Sequence, residues 1–172
     1  ARDATLALAN NQIIAQALLR EPTSDREIVR ADIRHDLGSG RGSADLAVDG
    51  IRFDNQLQPF ALTDLALGVV ANAKGAVRGG GRIDWSPETV TSSGRFTTDS
   101  FDFAAAFGPV QGAAGTIVFT DLLGLVTAPD QQLRIASINP GIEVADGVMT
   151  YEMRPDFVLA IKGARWPFMD GT

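Results

Sequence analysis

The chain has 172 residues, of which 45% are hydrophobic and 21% charged, and its formal net charge is −6. This composition is typical of one folded domain and excludes an intrinsically disordered chain. The acidic balance, without a basic stripe, argues against nucleic acid as a partner. Because the sequence contains no cysteine, a disulfide framework, a thiolate zinc site and a cysteine nucleophile are also excluded.

The ends of the sequence lack the usual marks of a complete protein. It begins without methionine and stops in RWPFMDGT, with no obvious terminal element. No apolar run approaches the roughly 18 residues of a membrane span. We therefore expect residues 1–172 to be a single β-rich segment of a longer protein.

The first third of the chain predicts antiparallel strands. ATLALANNQIIAQALL predicts a hairpin that turns at Asn10-Asn11, and EIVRADIRHDL alternates apolar with polar residues. ADLAVDGIRFD predicts a second hairpin with Asp49-Gly50 as its two-residue turn, because Asp-Gly is a strong hairpin signal. The apolar side of that hairpin would carry Leu46, Val48, Ile51 and Phe53.

The middle of the chain continues this pattern. Turns are predicted at Asn72–Gly75 and at Ser86–Thr89, and the second turn would place Trp85 opposite Val90. The glycines at Gly79–Gly81 predict a weakened strand or a bulge. DSFDFAAAFGPV predicts a short helical turn, whereas GTIVFTDLLG and QQLRIASIN predict two more strands. The apolar side of the first of these two strands would carry Ile117 and Phe119.

The stretch GIEVADGVMTYEMRPDFVLAIKG, which begins at Gly141, predicts three short strands. Asp146-Gly147 would form the first turn and place Val144 opposite Met149. Arg154–Asp156 would form the second turn. The common apolar side of the three strands would carry Ile142, Val144, Met149, Tyr151, Phe157, Leu159 and Ile161.

These elements together predict an all-β fold. We expect an antiparallel meander of hairpins that curls into an open trough or groove with an apolar interior, with at most one or two short helical turns. A meander with one apolar and one polar side can also close into a sandwich. For each apolar residue, packing against the rest of the core is therefore an alternative to lining a groove.

No enzyme signature is present in the sequence. His35 is the only histidine, and we place it on the arginine-rich polar side of its strand as a solvated surface residue. Many carboxylates fall at predicted turns, where they bond to the local backbone. RGGGR lacks the Lys-Ser/Thr that follows a phosphate loop. We therefore predict no catalytic residue, no metal site and no cofactor.

Four motifs carry a resemblance to a known family. FTDLLGL, IASINPGIEVADG and ARWPFMDG, together with DFAAAFGPVQGAAG upstream, resemble the C-terminal region of YdbH-like proteins of Gram-negative bacteria. The resemblance is specific over residues 101–172. Before residue 101, the sequence is compatible with the family only in its pattern of strands. YdbH-like proteins belong with the AsmA-like group, which is similar in style to TamB.

The resemblance implies a role in lipid transport. Proteins of this group are long and periplasmic, are anchored in the inner membrane by an N-terminal helix, and are implicated in carrying phospholipids towards the outer membrane along a β-rich groove. The partners implied are phospholipid acyl chains, and the two membranes through parts of the protein outside this chain. The residues expected to line the groove are Leu46, Val48, Ile51, Phe53, Ile117, Phe119, Ile142, Val144, Met149, Tyr151, Phe157, Leu159 and Ile161. An exposed apolar trough also favours self-association of the isolated chain.

The sequence is also compatible with two other functions. The family also bears the label "dicarboxylate transport", and a dianion needs converging cationic donors. The candidate donors are Arg52, Arg78, Arg82 and Arg95. A carbohydrate-binding or purely structural β module is the other alternative, in which Trp85, or Trp166 with Phe168, would stack on sugars.

Overall fold

The structure, a computed structural model, describes residues 2–62 and 70–167. These residues form one antiparallel sheet of eleven strands, ordered β1-β2-β3-β4-β5-β6-β7-β9-β10-β11, with β8 paired to β7. The strands are β1 (Arg2–Ala9), β2 (Gln12–Arg20), β3 (Glu27–Asp36), β4 (Arg41–Phe53), β5 (Ala71–Trp85), β6 (Val90–Ala105), β7 (Gly108–Asp121), β8 (Val126–Thr127), β9 (Gln131–Ile138), β10 (Val144–Arg154) and β11 (Val158–Arg165). The predicted all-β meander is confirmed.

The helical content is as small as expected. Two short 3-10 turns are present in the described residues, at Pro59–Ala61 and Pro155–Phe157. No helix in those residues has the length and apolar character needed to cross a bilayer. β1 and β11 do not pair with each other in the described sheet, which is therefore open along both edges.

Three predicted turns are confirmed. Asn10 and Asn11 join β1 to β2 with φ values of 49° and 61°, as in a turn whose twist matches that of the flanking strands. The turn before Val90 places this residue opposite Trp85, as predicted. Arg154–Asp156 falls where β10 ends and a 3-10 turn begins.

Both Asp-Gly turns were predicted wrongly. Asp49-Gly50 lies inside β4, where pairing with β5 shifts from Val48 opposite Gly79 to Ile51 opposite Val77. This shift inserts one extra residue, as in a β-bulge. A neighbouring strand of 15 residues continues past the site, so extended pairing outweighs the local turn signal.

Asp146-Gly147 likewise lies inside β10, which pairs with β9 from Val144 to Tyr151. Val144 therefore lies opposite Ile138 and not opposite Met149. Asp146 adopts the left-handed conformation that this dipeptide favours, with φ 55°. Here that conformation changes the direction in which the strand presents its side chains instead of reversing the chain.

Three further predictions differ from the structure. The Asn72–Gly75 segment lies within β5, and DSFDFAAAFGPV forms the end of β6 and the start of β7 instead of a helical turn. Phe101 and Phe103 pack against a buried cluster, and this burial outweighs the capping residues around them. The Gly79–Gly81 segment pairs regularly with both neighbouring strands, so the predicted bulge is absent there.

The core consists of two clusters of buried residues on one side of the sheet. One contains Phe53, Leu57 and Ala73, and the other contains Val110, Ala113 and Ile135. Leu57 belongs to the loop after β4, which lies alongside the start of β5. The Gln58 side chain accepts a bond from the N–H of Ala73 and donates one to its carbonyl, both at 2.9 Å. This amide thus replaces a missing strand residue beside β5.

Two carboxylates organise the loops at this end of the sheet. The Ser24 hydroxyl and the backbone N–H groups of Thr23 and Ser24 lower the pKa of Glu21 to about 2. The Arg26 guanidinium, 2.8 Å away, is the largest cause that lowers the pKa of Asp54 to about 2. Both groups favour the folded state only while they are ionised.

We expect these two carboxylates to shape the acid stability of the protein. Their ordinary pKa values are 4.5 and 3.8, so the unfolded chain takes up protons first as the pH falls. The stability they provide is complete above about pH 4.5 and is lost towards pH 2. Urea midpoints measured from pH 7 to pH 2 should decrease in this pH window, and Glu21→Gln should make the decrease smaller.

The exposed Glu88 serves as the control site, because Glu88→Gln should leave the pH profile of the urea midpoint unchanged. An unchanged profile for Glu21→Gln would contradict the assignment.

Candidate functional site

The strand register brings eleven of the thirteen predicted lining residues to one side of the sheet. Directly opposed residues in an antiparallel pair lie on the same side. Val48 lies opposite Gly79, Gly79 opposite Phe96, and Phe96 opposite Ile117. Residues nearly seventy positions apart in the chain are therefore neighbours across four strands. We call this side, which carries both buried clusters, the inner face.

The inner face continues through the C-terminal strands. Gly115 lies opposite Leu133, which lies opposite Met149. Tyr151 lies opposite Ile161 on β11. The predicted lining residues that the strands place on this face are Leu46, Val48, Ile51, Phe53, Ile117, Phe119, Val144, Met149, Tyr151, Leu159 and Ile161.

Val144 reaches this face by a less regular route than the other residues. It pairs with Ile138, which packs against the buried cluster around Val110. The two remaining predicted residues, Ile142 and Phe157, lie outside the strands. Ile142 precedes β10 and is 71% exposed, and Phe157 lies in a 3-10 turn and is 57% exposed.

The inner face is almost free of charge. Within the described strands from β2 to β11, charged side chains lie on the opposite, outer face, with the exception of Asp121 at the last residue of β7. Tyr151 is buried on the inner face, and this burial raises the pKa of its hydroxyl to about 12. The inner face therefore presents a nearly continuous uncharged surface.

The outer face carries ion pairs both between strands and, for Arg82 with Asp84, within β5. Arg78 forms two bonds to Asp99, of 2.6 and 3.0 Å. Arg82 binds Asp45 at 2.8 Å and Asp84 at 2.9 Å. The Asp99 carboxylate raises the pKa of Arg78. Because these guanidinium groups already bind carboxylates, two of the candidate donors for a dicarboxylate ligand are engaged within the sheet.

Aromatic rings cover glycines on the inner face. A Cβ atom built on Gly42 would lie 2.3 Å from Cζ2 of Trp85, and one built on Gly147 would lie 1.9 Å from Nε1 of Trp166. Rings placed over cross-strand glycines lie against the sheet instead of standing away from it. The glycine–aromatic pairs are Gly42–Trp85, Gly75–Phe101, Gly79–Phe96 and Gly147–Trp166.

His35 was placed on the wrong side by the sequence prediction. It lies opposite Ile13 and Gly42 on the inner face, where Nδ1 accepts a hydrogen bond of 3.1 Å from Nε1 of Trp85. The two rings are stacked with centroids 6.0 Å apart. The signal was present in the sequence, since His35 follows Ile33 by two residues and strands alternate with a period of two.

The aromatic residues considered for sugar stacking have other contacts. Trp85 stacks on His35, and Trp166 packs against the cluster around Val110. Phe168 lies outside the described residues. In residues 2–62 and 70–167, no three histidine, aspartate or glutamate side chains converge in a geometry suited to a metal ion.

The inner face becomes more exposed towards the edges of the sheet. Leu6 and Leu8 on β1 are 70% and 62% exposed, and Leu159 and Ile161 on β11 are 50% and 56% exposed. In the middle of the sheet, Val48 is only 7% exposed. Large exposed apolar surfaces mark places where a protein meets another apolar body.

Comparison with known proteins identifies one family. The family model YdbH-like, described as intermembrane phospholipid transport protein YdbH, matches residues 1–172. The match therefore includes the N-terminal hundred residues, where the sequence showed a likeness of pattern alone. No curated protein and no solved structure matches the chain.

Proposed function

The chain belongs to the YdbH-like family of intermembrane phospholipid transport proteins, and we propose that its inner face carries phospholipid acyl chains between the two membranes. The observation that supports this proposal is the nearly uncharged inner face that runs from β2 to β11. In this proposal the chain acts in the periplasm as a non-enzymatic part of a bridge, anchored to the inner membrane by other parts of the protein.

The energetics of lipid transfer suit such a face. Each methylene group of a lipid tail that is exposed to water costs about 0.8 kcal/mol. A surface of leucine, valine and phenylalanine is nearly equivalent to the bilayer interior as a solvent for that tail. Transfer from the membrane to the inner face is then close to neutral, and movement along the face meets no steep step.

The dimensions of the sheet also suit an acyl chain. The ten strands on the main path of the sheet have nine spacings of about 4.8 Å, which gives a face roughly 43 Å long. One leaflet of a bilayer contributes about 15 Å of hydrocarbon, half of roughly 30 Å. A tail that lies along the strand order therefore covers about a third of the face.

The open sheet gives the polar part of a phospholipid a place in water. The outer face carries ion pairs such as Arg78–Asp99 and Arg30–Asp49, which keep that side solvated. Because β1 and β11 are unpaired with each other in the described sheet, a headgroup can extend through the opening while the tails lie on the inner face.

Two neighbouring residues of β11 provide a matched test. Leu159 lies opposite Met153 on the inner face and Val158 lies opposite Arg154 on the outer face, and each is 50% exposed. We expect the protein from a Gram-negative host to carry phospholipid in native mass spectrometry. Leu159→Asp should reduce this phospholipid at least severalfold, because it places a charge beside the tails. Val158→Asp should retain it.

Lipid extraction would identify the bound species, and circular dichroism would show that both variants remain folded. Equal phospholipid in the two folded variants would show that the inner face does not hold the lipid. A parent protein that carries no phospholipid under any gentle condition would refute the proposed function.

A further inference from the structure

The hairpin between β7 and β8 folds over the inner face. The first residue of its tip is Leu122. A Cβ atom built on Gly81 would lie 2.7 Å from Cδ2 of Leu122, and one built on Gly94 would lie 3.3 Å from it. Gly81 and Gly94 are directly opposed in the sheet. A leucine side chain thus covers a patch of the inner face that has no side chains of its own.

Polar bonds hold the base of this hairpin in place. The Ser92 hydroxyl donates to Oδ1 of Asp121 at 2.6 Å and accepts from the N–H of Leu123 at 3.0 Å. The N–H of Gly124 donates to the same Asp121 oxygen at 3.0 Å. These bonds fix the backbone of the tip, whereas the Leu122 side chain is held by packing alone.

On the side away from Ser92 and Asp121, the patch beneath Leu122 is bordered by phenylalanine rings. The Phe96 ring lies beside Gly94, with Cε2 placed 3.0 Å from a Cβ built there. Phe119 lies opposite Gly94 and meets Phe96 edge-on, with ring centroids 6.0 Å apart. Two glycines bordered by two phenylalanines form a seat that the Leu122 side chain covers.

We propose that this seat, formed by Gly81, Gly94, Phe96 and Phe119, binds a phospholipid acyl chain, and that Leu122 occupies it until the acyl chain arrives. This inference rests on the proposed function and assigns one binding position for an acyl chain on the inner face. The occupant seen in the structure supports the chemistry, because the branched alkyl group of leucine is a close substitute for part of an acyl chain.

Exchange of the two occupants is nearly balanced. The incoming chain and the outgoing Leu122 side chain are both hydrocarbon, so the ligand gains only the contacts that exceed those of leucine. Leu122 therefore competes with the ligand and weakens its binding. Removal of the Leu122 side chain should tighten the binding of an acyl probe by about tenfold.

The test uses cis-parinaric acid, a fluorescent fatty acid, titrated into the chain. Leu122→Ala should bind it about tenfold more tightly than the parent. Leu123→Ala is the matched control, because Leu123 is the adjacent tip residue and is 57% exposed, and it should bind like the parent. The double variant Leu122→Ala with Gly94→Ala places a methyl group in the vacated seat and should lose the gain.

The outcomes separate this proposal from the proposed function. Parent binding that Leu122→Ala leaves unchanged or weakens would overturn the seat and keep the lipid-carrying face. A gain that persists in the double variant would place the probe elsewhere and would also overturn the seat. If neither the parent nor any variant binds the probe, both proposals fail.

Discussion

Replacement of Leu57 by alanine should lower the free energy of unfolding by about 3 kcal/mol. Leu57 is fully buried and packs with Phe53 and Ala73 where the loop after β4 lies beside β5. The loop is fixed by the Gln58 amide and by Asp54, so it cannot collapse into the vacated volume. A cavity at this end of the sheet adds to the lost burial of the side chain.

Urea unfolding followed by circular dichroism would measure this change. Phe60→Ala is a suitable control, because Phe60 belongs to the same loop and is 51% exposed. It should change the free energy of unfolding by less than about 1 kcal/mol. Equal destabilisation by the two substitutions would mean that the loop contributes as a whole and that Leu57 has no special place in the core.

Substitution of Gly79 by alanine should be as damaging, for the opposite reason. The added Cβ would lie 2.2 Å from the carbonyl oxygen of Arg95 and 2.7 Å from Cα of Phe96. Both atoms belong to the backbone of a paired strand, so relief requires a shift of β6 relative to β5. We expect a loss of about 3 kcal/mol in the free energy of unfolding, at the upper end for overpacked sites.

Gly163→Ala provides the matched control for Gly79→Ala. Gly163 lies in β11, and a Cβ built there meets no atom within 4 Å. This variant should keep the urea midpoint of the parent or raise it slightly, since alanine restricts the unfolded chain. A parent-like midpoint for Gly79→Ala would show that β5 and β6 can separate at little cost.

The sequence predicted the sides of the strands better than it predicted the turns. Val48 and Ile51 share the inner face as expected, although Asp49-Gly50 is a bulge and not a turn. A two-residue turn and a one-residue bulge both restore the same side after an interruption. The hydrophobic pattern therefore gives the correct face under either interpretation.

Other features depend on contacts that no local pattern contains. Val144 pairs with Ile138 on β9. The pairing of β9 with β10 is longer than the hairpin that the sequence predicted at Asp146-Gly147. The seat under Leu122 arises from glycines about 28 and 41 positions upstream, brought together only by the register of β5 and β6. Ile142 and Phe157 were assigned to strands, but they lie in the connections before β10 and β11, which begin at Val144 and Val158.

The pairing of strands in chain order has a consequence for how such a protein forms and grows. With β8 as the one detour, every strand on the main path adds beside the strand that precedes it. Short loops close most of these pairs, so the sheet can assemble progressively, one strand after another. The same arrangement permits extension in evolution, because insertion of one hairpin lengthens the sheet by about 10 Å. The length of a sheet built in this way is set by the number of hairpins that the sequence contains.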